Sequence, residues 1–306
     1  MPELPEVQTT VNGLRSQIKG LVIKDTWTNY GSNYFKGSGT IKDPAYYKFF
    51  RKQVIGNKII SAERRAKNIL INLSGNRTIL IHMKMTGHLL YGKYKFGQKN
   101  KKDPWEPIEP ESLKHGINRH VRFIITFNNG RHLALSDLRR FAKITVIETD
   151  KINSSIHLAD LGPEPLEKEF TLHAFRKRLE TRQNAPIKQV LTDQSVISGI
   201  GNIYADESLW HAKIHPLQKA GTLTTPRLAV LFRTIKKLLS KGIKLGGDSM
   251  SDYRNIKGDK GKFQEHHRAY RKTGEKCSKP GCGGKIVRIT VGGRGTHFCD
   301  IHQKIN

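Results

Sequence analysis

The chain opens Met1-Pro2-Glu3-Leu4-Pro5-Glu6-Val7. Once Met1 is removed, Pro2 is a secondary amine at a chain end. Such an amine attacks an aldehyde to give an iminium with no N–H to lose, so the cation persists as an electron sink. Protons α to it become acidic, and a leaving group β to it is expelled. The masked aldehyde at C1′ of a DNA sugar that has lost its base fits this chemistry on an anionic polymer. Glu3 is then within reach as a proton donor to the ring oxygen, or as a shuttle. A free α-amine titrates near 7.7–8.0. The positive end of a helix favours its neutral form, and Glu3 opposes that. The plainer reading of these residues is a helix start, with Pro5 in the first turn.

A second cluster lies at the other end of the chain. Cys277, Cys282, Cys299 and His302 are spaced C-x4-C-x16-C-x2-H. Zinc accepts a tetrahedral set of three thiolates and one imidazole, and four protein ligands leave no open position, so one such ion would be structural. The segment is too short for much core of its own, so a metal would supply much of its folding energy. His297 is a rival fourth ligand, although two residues before Cys299 on a strand is a poor place to close the far side. Unremarkable thiols are the competing reading.

Other residues suit a polyanion. Gly199 and Gly201 permit a tight turn before the helix begun by "NIYADESLW", and backbone amides at a helix start, with the Asn202 side chain, make an anion site. Arg294 occupies the expected tip of a hairpin, where a basic side chain suits a DNA groove. "RRAKNILIN" (64–72) and "DLRRFAK" (137–143) place cations inside otherwise apolar strands, either as edge-strand charge or as a basic wall along a phosphate backbone. Met85, in "HMKMTG", is core filler or a wedge for a base stack.

Composition supports this partner class. The 306 residues carry 54 Lys plus Arg against 26 Asp plus Glu, a formal charge of +28. An excess of this size strains a compact fold by self-repulsion unless a polyanion takes it up. No run approaches ~18 consecutive apolar residues, which argues against a membrane span. The acidic first residues lack the basic and apolar regions of a signal peptide. A cytoplasmic protein is expected.

The elements that must position these residues follow from periodicity. The first half reads as β, over 22–30, 58–73, 78–92 and 120–137, with a hairpin at Asn129-Gly130. A helix with Val7, Val11 and Leu14 on one face precedes the strands. The lysine-rich, then Pro/Glu-rich stretch 93–111 is expected to be a mobile loop. Helices are expected over 171–182, behind a Thr171 cap, and over 225–247. Residues 274–303 read as a β-hairpin turning at Gly292-Gly293.

Together these stretches resemble the formamidopyrimidine-DNA glycosylase family, bacterial base-excision enzymes for oxidised purines. "MPELPEV", "RRAK", "HMKMTG", "DLRRFA", "LGPEPL", "GIGNIYADESLWHAKIHP" and "GRGTHFCDIHQ" carry the resemblance in order along the whole chain. It implies an α+β multidomain fold: an N-terminal β-sandwich with flanking helices (1–150), a linker (151–168), a helix–two-turns–helix domain (169–265) and a zinc β-hairpin (266–306). It implies Pro2 as nucleophile, Glu3 as general acid/base, and Lys67 as a phosphate contact that aids catalysis. Met85, Arg139 and Phe141 would fill or wedge the gap left by a flipped nucleotide, Asn202 and Arg294 would grip phosphates, and 246–263 resembles a segment that closes over the flipped base. The family's usual zinc pattern is C-x2-C-x16-C-x2-C. Here the first spacing is x4 and His302 ends the set, and the insert at 93–111 is longer than usual.

The implied protein is a monomeric bifunctional glycosylase and abasic-site lyase acting on duplex DNA with an oxidised purine or abasic site, with one structural zinc. A paralogue that binds damaged or abasic DNA without cutting, and a basic RNA-binding protein, are the alternatives. Intact Pro2, Glu3 and Lys67 argue against the first.

Overall fold

The computed structural model describes residues 1–30, 39–97 and 104–305. The chain divides into two compact units, one of residues 1–159 and 245–262, the other of 160–244 and 263–306.

The first unit begins with α1 (Leu4–Gln17), whose buried face carries Leu4, Val7, Val11 and Leu14. Its strands are β1 (Ile23–Thr28), β2 (Ile59–Arg65), β3 (Asn68–Leu73), β4 (Arg77–His82), β5 (His88–Phe96), β6 (Trp105–Glu109), β7 (Val121–Phe127), β8 (His132–Ser136) and β9 (Lys143–Glu148), with α2 (Pro44–Val54) after β1. They form a five-stranded sheet in the order β1-β7-β8-β5-β6 and a four-stranded sheet in the order β2-β3-β4-β9. All the pairings are antiparallel. Alternate residues of each strand face a shared core: Ile69, Ile71, Ile79, Ile81 and Ile144 from one sheet, Leu89, Phe123, Ile125, Leu133 and Leu135 from the other, with Val7, Val11 and Leu14 of α1. This is the expected β-sandwich. The other face of the five-stranded sheet carries a second buried cluster, with Leu90, Tyr94, Ile124 and Ala134 of the strands packed with Leu113, Trp27 and Trp105.

Four expectations need correction. The run 58–73 is two strands, because Ala66 takes a left-handed φ of 54° and turns the chain, leaving Lys67 in the turn and not within a strand. The run 137–143 is not a strand before Lys143: the Asp137 carboxylate accepts the Ala142 N–H (2.9 Å), and Arg140 has φ 56°, so the backbone closes on itself. The stretch 93–111 is not a loop throughout. β5 extends to Phe96 and β6 returns along it, held by edge contacts of Trp105 with Trp27 and Phe96 at 6.1 and 5.3 Å between ring centroids. The remainder of that stretch, 98–103, lies outside the described residues. Finally, 245–262 packs with the β-sandwich unit and not with the helical one. Tyr253 donates from its hydroxyl to the Glu6 carbonyl (2.9 Å), and the Ile256 side chain lies where a Cβ on Gly13 would fall.

The second unit holds α3 (Leu172–Glu180), α4 (Ile187–Thr192), α5 (Asn202–Ala212), α6 (Thr225–Lys244) and a hairpin of β10 (Ile286–Val291) and β11 (Arg294–Cys299). Thr171 caps α3 by accepting the Ala174 N–H. Gly242 of α6 lets α5 approach, since a Cβ there would meet the Tyr204 hydroxyl oxygen at 2.4 Å. Gly292 and Gly293 turn the hairpin with φ of 54° and 73°, the geometry a two-residue turn requires. Among the described residues no helix is long and apolar enough to cross a membrane.

Candidate active site and nucleic-acid interface

The start of α1 is the first centre. Pro2 and Glu3 are buried, and Glu3 is the N-cap. The side chain of Glu6 reaches back one turn and its Oε2 accepts the Glu3 N–H at 2.7 Å, half of a capping box. Its Oε1 accepts the Asp248 N–H, also at 2.7 Å. Burial, and then the charge of Glu3, push the Glu6 carboxyl up to about 7. In the structure the terminal amine belongs to Met1, and burial lowers its pKa below 8.0, with Glu3 and Glu6 opposing and Lys67 adding to the fall. The surroundings of the chain end thus shift this amine toward its neutral form. Lys67, itself 5% exposed, is close enough to act on that amine and on His82.

His82 is a residue that the motifs did not single out. Burial and the neighbouring Lys84, Lys67 and Lys143 push it down to about 3. Its Nδ1 accepts the Lys84 N–H (3.0 Å), so the ring's proton is on Nε2. The result is a neutral N–H donor among three lysines, in a cavity lined by Asn68, Lys84, Lys143, Thr145 and His157. Its sequence signal was the histidine at the end of β4, directly before the Met85 turn.

Two neighbouring loops carry the expected wedge residues. Met85 is 41% exposed at the tip of the turn after β4. The Arg139 guanidinium lies over the Phe141 ring, 4.7 Å from its centroid.

In the second unit, Gly199 takes φ 94° and Gly201 precedes α5, as the glycine spacing implied. The Asn202 Nδ2 donates to the Gly295 carbonyl (2.8 Å), tying the start of α5 to the hairpin whose tip carries exposed Arg294. Beneath them, Lys188 is fully buried and donates to the Asn202 carbonyl (2.9 Å) and to Asp206 Oδ1 (2.5 Å). Asp206 Oδ2 accepts both the backbone N–H and the Nδ1–H of His297, each at 3.0 Å. That contact takes His297 out of the metal cluster.

Among the described residues, the side chains placed to hold a metal are Cys277, Cys282, Cys299 and His302, their ligand atoms all within 4.8 Å of one another. Tetrahedral zinc, with Zn–S of about 2.3 Å and Zn–N of about 2.0–2.1 Å, requires S···S near 3.8 Å and S···N near 3.5 Å. The Cys282 and Cys299 sulfurs are 3.6 Å apart, and His302 Nδ1 lies 3.5 and 3.6 Å from those of Cys277 and Cys282. His302 Nε2 is 3.3 Å from the Trp210 carbonyl, a bond that puts the proton on Nε2 and leaves Nδ1 as the ligand. The longer first spacing is absorbed by the turn over 279–282, so the donor set fits zinc.

A β-sandwich whose first helix starts at a buried Pro2-Glu3, together with a helical unit that ends in a hairpin carrying a candidate metal-ligand cluster, is the arrangement of the helix–two-turns–helix class of DNA glycosylase. The comparisons with known proteins agree. The formamidopyrimidine-DNA glycosylase N-terminal domain matches residues 1–144, and the H2TH domain of the same enzymes matches 161–254. A formamidopyrimidine-DNA glycosylase of Pelotomaculum thermopropionicum is 36% identical over 305 residues, covering 100% of both chains. The Lactococcus lactis Fpg, solved in complex with an abasic site containing DNA, is 31% identical with a TM-score of 0.81, covering 99% of each chain. A MutM structure in complex with carbocyclic 8-oxo-G containing DNA gives the same identity and TM-score, over 99% of this chain and 100% of that one. The chain belongs to the formamidopyrimidine-DNA glycosylase family, and is a DNA glycosylase of base-excision repair.

The His82 environment has a measurable consequence. A histidine whose folded pKa is depressed contributes stability that is present above its unfolded value, near 6.5, and lost as pH falls toward the folded one. In NMR titrations the His82 ring signals should keep their neutral positions from about pH 8 to about pH 5, where an unperturbed imidazole turns over. A midpoint near 6.5 would show that the ring is neither buried nor crowded by the lysines as the structure has it.

Proposed function

We propose that the protein excises oxidised purines, 8-oxoguanine and formamidopyrimidines, from duplex DNA and cuts the strand at the resulting site by β,δ-elimination through an iminium on Pro2. The observation that carries this reading is the buried Pro2-Glu3 start of α1, with Lys67 acting on the terminal amine. Solved relatives bound to DNA containing an abasic site, carbocyclic 8-oxo-G or Fapy-dG support the substrate class.

After Met1 is removed, the Pro2 nitrogen attacks C1′ and the glycosidic bond breaks, the base leaving with the electron pair and taking a proton. Glu3 protonates the ring oxygen, the sugar opens, and the nitrogen lone pair completes the iminium. Loss of a C2′ proton expels the 3′ phosphate, a second elimination expels the 5′ phosphate, and water hydrolyses the iminium to free Pro2. Lys67 and the neutral His82 Nε2–H hold phosphate near the reacting sugar. Met85, Arg139 and Phe141 occupy the space vacated by the flipped nucleotide, at an unstacking cost of a few kcal/mol. Asn202, whose amide keeps a second N–H beyond the one given to Gly295, and Arg294 bind phosphates. The segment 246–263 covers the flipped base. One zinc ion on Cys277, Cys282, Cys299 and His302 holds the hairpin in shape. We place this activity in the cytoplasm, on the nucleoid, where a charge of +28 meets its polyanion.

Two measurements test this. On duplexes with 8-oxoguanine, formamidopyrimidine or an undamaged guanine, the protein should cut at the two lesions and leave phosphate on both ends of a one-nucleotide gap. Cutting indifferent to the lesion, or binding without cutting, would refute the assignment. Elemental analysis should find one zinc per chain. His302→Cys should keep it, and His302→Ala should weaken or lose it together with damaged-duplex binding, because the hairpin that presents Arg294 depends on the metal. Full lesion binding by zinc-free protein would remove the metal from the account.

A further inference from the structure

Asp137 is completely buried and is absent from the chemistry described above. It lies one residue beyond β8, and the register His88↔Ser136 places the end of β8 beside the start of β5. The loop leading into β5 carries Met85, and the loop leaving β8 carries Arg139 and Phe141. Asp137 joins the two. Its Oδ1 accepts the Thr86 hydroxyl proton at 2.5 Å. Its Oδ2 accepts the Tyr30 hydroxyl proton at 2.8 Å and the Ala142 N–H at 2.9 Å. Burial, and then the Asp137 charge, push Tyr30 well above its ordinary value, so the phenol keeps its proton and remains a donor.

The bond to Thr86 fixes more than a distance. A threonine hydroxyl has one proton, and here it points at Asp137. The lone pairs must then face elsewhere, and the Arg139 N–H donates to this same oxygen at 3.0 Å. The order is Arg139 N–H to Thr86 Oγ1, then Thr86 O–H to Asp137, which runs from one wedge loop through the other and back to the first. Each loop also holds a non-glycine residue in the left-handed region, Lys84 at φ 53° and Arg140 at φ 56°. Such conformations are sparsely populated by residues that carry a side chain and persist only where surrounding contacts impose them. Lys42 closes the Arg140 turn by donating to its carbonyl at 2.7 Å.

We propose that Asp137 is a positioning residue that locks the Met85 loop to the Arg139–Phe141 loop through Thr86, so that the three side chains enter the base stack as one rigid wedge. The proposal rests on the reading of those three residues as gap-filling. It predicts that Thr86 and Asp137 matter for steps in which a gap in a duplex must be filled, and little where no gap exists. A misplacement of about 1 Å at such a site can cost on the order of a hundredfold in rate.

The test is single-turnover excision of 8-oxoguanine from a duplex by Thr86→Val, Thr86→Ser, Asp137→Asn, the Thr86→Val/Asp137→Asn double variant and, as a control of the underlying reading, Met85→Ala. Zinc content and melting temperature are followed in parallel. Borohydride trapping on a single-stranded abasic oligonucleotide reports the iminium step where no partner strand leaves a gap. Thr86→Val should slow duplex excision about tenfold or more, as Met85→Ala should, and Thr86→Ser, which restores the hydroxyl, should recover it. Single-strand trapping should keep its rate in Thr86→Val. The double variant should be little worse than the slower single one, because both cut the same linkage. Normal excision by Thr86→Val beside a slowed Met85→Ala would overturn the linkage. So would equal loss in Thr86→Ser, or loss of single-strand trapping in Thr86→Val, since either assigns the residue to general folding. Normal excision by Met85→Ala would refute the wedge reading itself, and the proposal with it.

Discussion

The Glu6 carboxylate is shared between two backbone N–H groups, those of Glu3 and Asp248, each at 2.7 Å. The proposed nucleophile is the chain's own terminal amine, and such a role requires immobilising the part of a protein that is ordinarily most mobile. Glu6 does so from one turn inside α1. It fixes the N-cap by its backward bond, and its other oxygen, with Tyr253 bonded to the Glu6 carbonyl, ties the same turn to 245–262. The segment proposed to cover the flipped base is thus anchored on the helix that presents the amine. Burial of this carboxyl beside Glu3 raises it to about 7. A raised acid favours the fold most when protonated, so this contribution weakens as pH rises from about 4.5 through about 7.

The helical unit solves its own positioning problem with consecutive acids on α5. Asp206 joins Lys188 to His297, and so fixes Asn202 relative to β11. Glu207 accepts the N–H groups of Arg268, Ala269 and Tyr270, which orders the approach to the metal-ligand segment. A buried carboxylate given three backbone donors is satisfied despite its desolvation. The apolar core of the hairpin consists of Trp210, Ala269, Cys277, Ile286 and Cys299. Cys277 and Cys299 belong to this core and Cys282 packs against it, so three of the four candidate metal donors are also part of the packing.

Much of this was legible in the sequence. Alternation marked the strands, Pro5 and Thr171 marked helix starts, and the glycine pairs marked the turns before α5 and within the hairpin. The misreadings have physical causes. "RRAK" and "DLRRFAK" look like strands interrupted by charge, but in both a non-glycine residue adopts φ > 0, which apolar periodicity does not reveal. α2 went unassigned, although Asp43-Pro44 is a sound helix start, with Asp43 accepting the Ala45 N–H. β6 was missed because Pro and Glu suggest a loop, and Trp105 overrides them by packing. Asp206, Asp137 and Glu6 are invisible as network centres in one sequence, since their partners are 91, 51 and 242 residues away. The expected choice of His302 over His297 agrees with the Asp206 carboxylate, which binds the latter.

The central claim is that the amine on Pro2 forms the covalent intermediate. Borohydride trapping on an abasic duplex, followed by proteolysis and mass spectrometry of the cross-linked peptide, tests it most directly. The account predicts an adduct on a peptide that begins at Pro2, with Met1 absent and the sugar carbon bonded to the proline nitrogen. An adduct on the Lys67 side chain, or on a chain that still carries Met1, would contradict it.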